Sequence, residues 1–208
     1  MEDKERQSAF LSALNTELFV LQAALGANVN EAGARASIYI MALSSFLVAM
    51  GFASRSEAFG PLVASVLPAL FLLGLFTVVR LVDLNGSYLQ HDTRMARIRS
   101  YYRGLSPEAD SFFGLDLERR PEVTLQLGWG VAFLTTSSSM VAFINNIVAG
   151  AGITLLARRL LGAENTLLGL LLGVAGALAL TAAYLAFQKL RFRMFEPVPQ
   201  DRATGAKP

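Results

Sequence analysis

Residues 61–79, PLVASVLPALFLLGLFTVV, contain no charged side chain. About 20 such residues, folded as a helix, cross the ~30 Å hydrocarbon core of a bilayer. Lipid cannot pair with bare backbone N–H and C=O groups, so a single stretch that crosses it must be helical. This stretch therefore predicts a membrane-spanning helix and decides the fold class.

Three further stretches share this character, residues 37–54, 129–157 and 166–187, and none holds Asp, Glu, Lys, Arg or His. Of the whole chain, 53% is hydrophobic and 16% is charged, whereas soluble domains carry about 25% charged residues. Short connections at 55–60 and 158–165 join the stretches in pairs. The sequence thus predicts an all-α membrane protein with four transmembrane helices in two hairpins and cytoplasmic helical extensions.

The distribution of basic residues predicts the orientation. Of the 18 Lys and Arg residues, only Arg55, Arg158 and Arg159 lie in the two short connections; the others lie in the N-terminal segment, the central segment and the tail. Cytoplasmic loops carry an excess of Lys and Arg. We therefore expect a multi-pass protein of the cytoplasmic (inner) membrane with both termini in the cytoplasm.

These patterns divide the chain into five parts. They are a cytoplasmic amphipathic helix at 1–35, a first hairpin at 36–81, a cytoplasmic helical segment at 82–128, a second hairpin at 129–188 and a basic, disordered tail at 189–208.

Two apolar seams are predicted outside the membrane. Spacings of three and four residues put each set on one helix face. Gly26, Asn28 and Gly33 predict a kink or break before the first span, whereas the second span is expected to continue to about Arg103. The two seams should pack together, or against other copies of the chain. Their members are Leu11, Leu14, Leu18, Leu21 and Leu25 in the first, and Leu81, Leu84, Tyr88, His91, Met95, Ile98 and Tyr102 in the second.

The third span is the most polar, and its candidate functional face consists of Thr135, Ser139, Asn145 and Asn146. One interpretation is a pore-lining stripe contributed by several subunits. The other is hydrogen bonding between helices of one bundle, worth about 0.6 kcal/mol per contact. The sequence leaves both open.

Four arginines form the densest basic patch: Arg94, Arg97, Arg99 and Arg103. They are candidates to bind anionic lipid head groups or a phosphate-bearing ligand. Alternatively, they form a solvated face paired with the acids of the central segment.

Small residues at four-residue spacing predict close helix packing, within or between subunits. They are Ser45 and Ala49 in the first span and Gly169 and Gly173 in the fourth.

Several activities have no support in the composition. The chain has no cysteine and one histidine, which leaves no thiolate or zinc site. The spans hold no acid for a proton relay and no arginine for voltage sensing. No acid–base or nucleophile–base pair is readable, so no enzyme and no cofactor are predicted. A net charge of +2 does not favour nucleic acid.

Residues 21–28, 94–102 and 133–146 together resemble a group of uncharacterised small bacterial multi-spanning membrane proteins. More distantly, a cytosolic helix, a two-helix membrane hairpin and a long following helix are similar to the SLATT-type membrane effectors of bacterial conflict systems. That resemblance implies a membrane pore, although the second hairpin departs from the two-span pattern of those effectors.

Two functions follow as hypotheses. One is an oligomeric pore or channel that the cytoplasmic helices control. The other is a membrane-anchored scaffold or sensor whose cytoplasmic segment binds a partner or an anionic ligand. In both, the chain is expected to contact the lipid bilayer and to form a homo-oligomer.

Overall fold

The computed structural model describes residues 2–106, 108–109, 112 and 136–193. In these residues the fold is all-α, and four helices are long and apolar enough to cross a membrane. They are α1 (Glu2–Ala53), α2 (Phe59–Arg103), α3 (Ser137–Leu161) and α4 (Thr166–Arg193), with a 3-10 turn (Ala163–Asn165) between the last two.

Helix α1 is one uninterrupted helix of 52 residues, so a break between Gly26 and Gly33, one of the two predicted alternatives, does not occur. Each helical glycine costs only about 1 kcal/mol relative to alanine. Both glycines lie on exposed surface, and an added Cβ at either would meet nothing within 4 Å. Between them, Asn28 and Ala32 are partly buried, and this packing keeps the segment helical.

Helix α2 continues through Pro68 and Gly86 to Arg103, as predicted. Its 45 residues measure about 67 Å at 1.5 Å per residue. The hydroxyl of Tyr102 donates to the carbonyl of Leu11 at 3.3 Å, while Arg80 contacts Glu31. The two helices therefore lie side by side and run in opposite directions.

The two apolar seams pack against each other within the chain. Leu21, Met95 and Ile98 form the buried centre of this contact, with Leu14, Leu18, Leu25 and Tyr102 around them. Tyr88 departs from the predicted seam because its side chain is exposed.

Helix α3 begins at Ser137, and the first seven residues of the predicted third span, 129–135, lie outside the described residues. Thr136 has an extended backbone, and its side chain accepts from the Ser139 amide as an N-cap. Such a cap ends a helix on its N-terminal side. The helix then continues to Leu161 and includes Arg158 and Arg159 in its last turn.

Helix α4 reaches Arg193, so the tail predicted to be disordered from residue 189 is helical for its first five residues. Tertiary contacts extend the helix, because Gln188 is fully buried and the Arg191 guanidinium pairs with Asp83 of α2. The rest of the predicted tail lies outside the described residues.

Glycines set the distance between α3 and α4. A Cβ on Gly173 would meet the hydroxyl of Thr154 and the carbonyl of Gly150, and one on Gly169 would lie 3.1 Å from Arg158 Cγ. These two glycines therefore pack inside the chain. In the first span, Ser45 is exposed and Ala49 is half-buried.

Candidate functional site

The polar side chains of α3 point into the helix bundle. Ser138, Ser139, Asn145 and Asn146 are all buried, and the most exposed of them, Asn146, shows 7% of its surface. Helix α3 packs against α2 and α4 and touches α1. Thr135, the remaining member of the predicted face, lies outside the described residues.

Asn145 connects three helices. Its Oδ1 accepts from the hydroxyl of Tyr39 in α1 at 3.2 Å, and its Nδ2 donates to the Phe71 carbonyl in α2 at 3.3 Å. Gly74 makes the approach possible, because a Cβ there would collide with the Asn145 amide. The amide is thus satisfied by protein on both sides.

A cluster of hydroxyls lies two turns closer to the N-terminus of α3. The Tyr184 hydroxyl of α4 lies 2.9 Å from Ser139 Oγ and donates to Ser138 Oγ at 3.2 Å. Thr136 Oγ1 lies 2.9 Å from the Ser138 hydroxyl, and Asn85 of α2 donates to that hydroxyl at 3.1 Å. We call these five residues the hydroxyl cluster.

Asn146 faces α4, where its Nδ2 donates to Thr181 Oγ1 at 3.1 Å. Thr181 in turn donates to the Ala177 carbonyl at 2.8 Å. Asn145 and Asn146 are adjacent residues about 100° apart on the helix. Asn145 therefore bonds to α1 and α2, and Asn146 bonds to α4.

These groups form hydrogen bonds but offer little acid–base chemistry. Within the described part of the chain, the hydroxyl cluster contains no carboxylate, imidazole or amine, and no group of three metal-ligating residues occurs. The arrangement holds helices together in a fixed register.

An ion cluster lies where the apolar parts of α1 and α2 end. Arg80 contacts the Glu31 carboxylate with two nitrogens, at 2.8 and 3.0 Å, and Arg35 Nε donates to the same carboxylate at 2.8 Å. The hydrogen bonds from Arg80, then those from Arg35, lower the pKa of Glu31 from 4.5 to about 2. Such a lowering is expected for a carboxylate beside two cations.

Beyond this cluster, α1 and α2 form what we call the stalk, residues 2–30 and 81–103. The four candidate arginines lie in its outer half: Arg94 and Arg97 are exposed, and Arg99 and Arg103 are half-buried. Arg94 lies about 21 Å along the helix from Arg80, and Arg103 about 35 Å. The Tyr101 ring near them contacts Phe10 of α1 edge to face.

Sequence reasoning missed several partners. Asn85 and Tyr184 were not singled out, although Tyr184 and Tyr39 are the only tyrosines within the apolar stretches, and a hydroxyl in lipid needs a partner. The Glu31–Arg80 contact joins positions 49 apart, and spacing gave no signal for it. Gln188 was also missed; its buried Nε2 has no partner among the described residues.

No protein-family model, curated protein or solved structure matches the chain.

Proposed function

We propose that the chain is a membrane-anchored scaffold or sensor, whose four spans in two hairpins hold a cytoplasmic stalk that binds an anionic partner. The observation that carries this proposal is the contrast between two polar surfaces. The polar residues of α3 bond to other helices of the same chain, whereas Arg94 and Arg97 are exposed on the stalk.

The packing of α3 favours an anchor over a pore. Lining a pore with Ser139 and Asn146 would require breaking their bonds to Tyr184 and Thr181. In lipid a broken hydrogen bond leaves a buried polar group unpaired, which costs several kcal/mol. The channel hypothesis therefore has less support than the anchor hypothesis.

Single cysteines test this choice, because the chain has none of its own. In membranes, Ser139→Cys and Asn146→Cys should not react with a small polar thiol reagent, whereas the exposed control Ser100→Cys should react fully. Reaction of both α3 variants at the rate of the control would show a water-filled path and would support the pore.

The proposed orientation places the stalk and both termini in the cytoplasm, following the excess of Lys and Arg there. Reporter fusions at Pro208 and Glu57 should report opposite sides of the membrane, cytoplasmic and periplasmic respectively. The reverse result would move the stalk to the periplasm.

The position of the stalk arginines favours a soluble anionic partner over lipid. Electrostatic attraction falls off within a Debye length of about 8 Å at physiological salt. Arg94 lies about 21 Å beyond Arg80 along the helix, which is farther than the attraction of head groups near Arg80 extends.

Pyrophosphate is a suitable probe of this surface, titrated into the full chain in phosphatidylcholine nanodiscs. Replacing Arg94 and Arg97 together with glutamine should weaken binding and reduce its dependence on salt. Arg55→Gln, an exposed arginine at the other end of the helix pair, is the matched control and should bind as the unmodified chain does. Unchanged binding by the double variant would contradict the assignment.

We propose in addition that the stalk self-associates through the outer face of α1. Between Gln7 and Asn30 this helix has one charged residue, Glu17, and Phe19 and Val20 are 64% and 57% exposed. Apolar surface of this kind in water marks an interaction site. When a thiol oxidant is added to isolated membranes, Val20→Cys should form disulfide-linked dimers, and the exposed control Gln22→Cys should not.

A further inference from the structure

Basic residues collect at one level of the bundle, where three apolar stretches end. Arg35 precedes the stretch that begins at 37, Arg80 follows the one that ends at 79, and Arg191 follows the one that ends at 187. One arginine thus comes from each of α1, α2 and α4. We call these three residues the arginine belt.

Two carboxylates of the described residues pair with the arginine belt. Glu31 binds Arg35 and Arg80, and Asp83 binds Arg191 at 2.9 Å. The single carboxylate of Glu31 therefore serves two guanidinium groups, and the exposed Lys189 lies two residues from Arg191. An anion at this level meets a net positive charge.

Arg35 and Arg80 also retain hydrogen-bond donors. Their contacts use Nε of Arg35, and Nε and Nη2 of Arg80. Neither Nη atom of Arg35 has a hydrogen-bond partner among the described residues, and Nη1 of Arg80 has none there either. The two side chains are 45% and 47% exposed, so these donors reach the surface. A guanidinium fork matches the geometry of phosphate oxygens.

We propose that the arginine belt is a binding site for the phosphate of an anionic phospholipid, in the leaflet on the stalk side. Lipid phosphates lie just beyond the hydrocarbon core, which is the level at which these apolar stretches end. Basic pockets between membrane helices bind anionic head groups in this way. Glu31 holds Arg35 and Arg80 in place and also competes with the lipid for them. This proposal does not depend on what the stalk binds.

Because Glu31 competes with the lipid, substitutions of Arg35 and of Glu31 should change lipid retention in opposite directions. The full chain is purified in neutral detergent with equal amounts of phosphatidylglycerol and phosphatidylcholine, and the retained lipids are counted by native mass spectrometry. The unmodified chain should retain phosphatidylglycerol preferentially. Arg35→Gln should reduce that preference roughly fivefold, the equivalent of about 1 kcal/mol per arginine near an anionic surface. Glu31→Gln should increase it.

Arg6→Gln, an exposed arginine near the far end of α1, is the matched control and should leave lipid retention unchanged. A purely structural role predicts that Arg35→Gln and Glu31→Gln change retention in the same direction, and that result would overturn the proposal. Equal retention of the two lipids by the unmodified chain would do so as well. Displacement of phosphatidylglycerol by an equal concentration of soluble glycerol phosphate would assign the site to a free phosphate and overturn the lipid assignment.

Discussion

The contacts between α1 and α2 change in character along their length. In the stalk, the buried side chains are Leu21, Met95 and Ile98, and large apolar groups meet across the seam. Between the apolar halves, Tyr39 of α1 reaches past Gly74 of α2 to the amide of Asn145. Apolar packing thus continues along the pair, since Phe46 and Val78 are also buried in the apolar half. On that side of the Glu31–Arg80 ion pair, however, it is joined by a buried hydrogen bond to a third helix, α3.

The difference follows from the solvent around each half. Burial of leucine is favourable in water because it removes apolar surface from water. Lipid tails are as apolar as leucine, so the same burial gains little between membrane spans. There, close backbone approach and hydrogen bonds hold helices together. The four predictions below test this contrast, in order of decreasing expected effect.

Leu21→Asp should have the largest effect, because it places a carboxylate in the centre of the stalk seam. Burying an unpaired charge costs several kcal/mol, and we expect the free energy of unfolding to fall by about 4 kcal/mol. Gln22→Asp, the exposed neighbour, should change it by less than about 0.5 kcal/mol. Thermal unfolding in mild detergent measures both free energies. Equal effects of the two substitutions would contradict the interpretation that the seam is the main stabilising contact of the stalk.

Gly173→Leu should disrupt the contact between α3 and α4. Its side chain would be forced against Thr154 and the Gly150 backbone, and overpacking of this kind costs up to about 3 kcal/mol. Gly60→Leu is the control, because an added Cβ at Gly60 meets nothing within 4 Å. If unfolding in detergent shows both variants equally stable, then close approach does not stabilise this helix pair.

Asn145→Leu should be more costly than Asn146→Leu. The first leaves the Tyr39 hydroxyl without its partner, at about 2 kcal/mol. The second removes one bond to Thr181, which keeps its bond to Ala177, at about 0.6 kcal/mol. Adding Tyr39→Phe to Asn145→Leu should recover most of the loss, because both polar partners are then gone. A double-mutant cycle that shows no coupling between the two positions would contradict this account.

The ion pair at the boundary should give the smallest effect, seen only in acid. The pKa of Glu31 is lowered from 4.5 to about 2, so its contribution is complete above pH 4.5. It is lost as the pH falls toward about 2, because the unfolded chain then binds the proton more tightly. Glu31→Gln should remove this part of the acid sensitivity, which melting curves across that window would show. A variant as acid-sensitive as the unmodified chain would contradict this.

The seams and the α3 face differ in how well the sequence predicted them. Leu14, Leu18, Met95 and Ile98 repeat every three or four residues, and such a repeat must find an apolar partner. The nearest is the seam on the helix joined to it by a short turn, so the prediction was confirmed. The partners of Asn145 could not be predicted in this way. A polar side chain within an apolar span needs a hydrogen-bond partner, but its sequence position does not identify that partner.

The sequence by itself determined that the chain has four apolar stretches long enough to span a membrane, and that its second helix extends to Arg103. Local composition and period are enough for these features, because lipid requires each span to satisfy its own backbone. Tertiary structure alone decided that α1 passes through Gly26 and Gly33 unbroken and that Asn145 bonds to Tyr39. It also decided that Glu31 binds Arg80. Each of these depends on groups distant in sequence, and their packing outweighs a local preference of about 1 kcal/mol per residue.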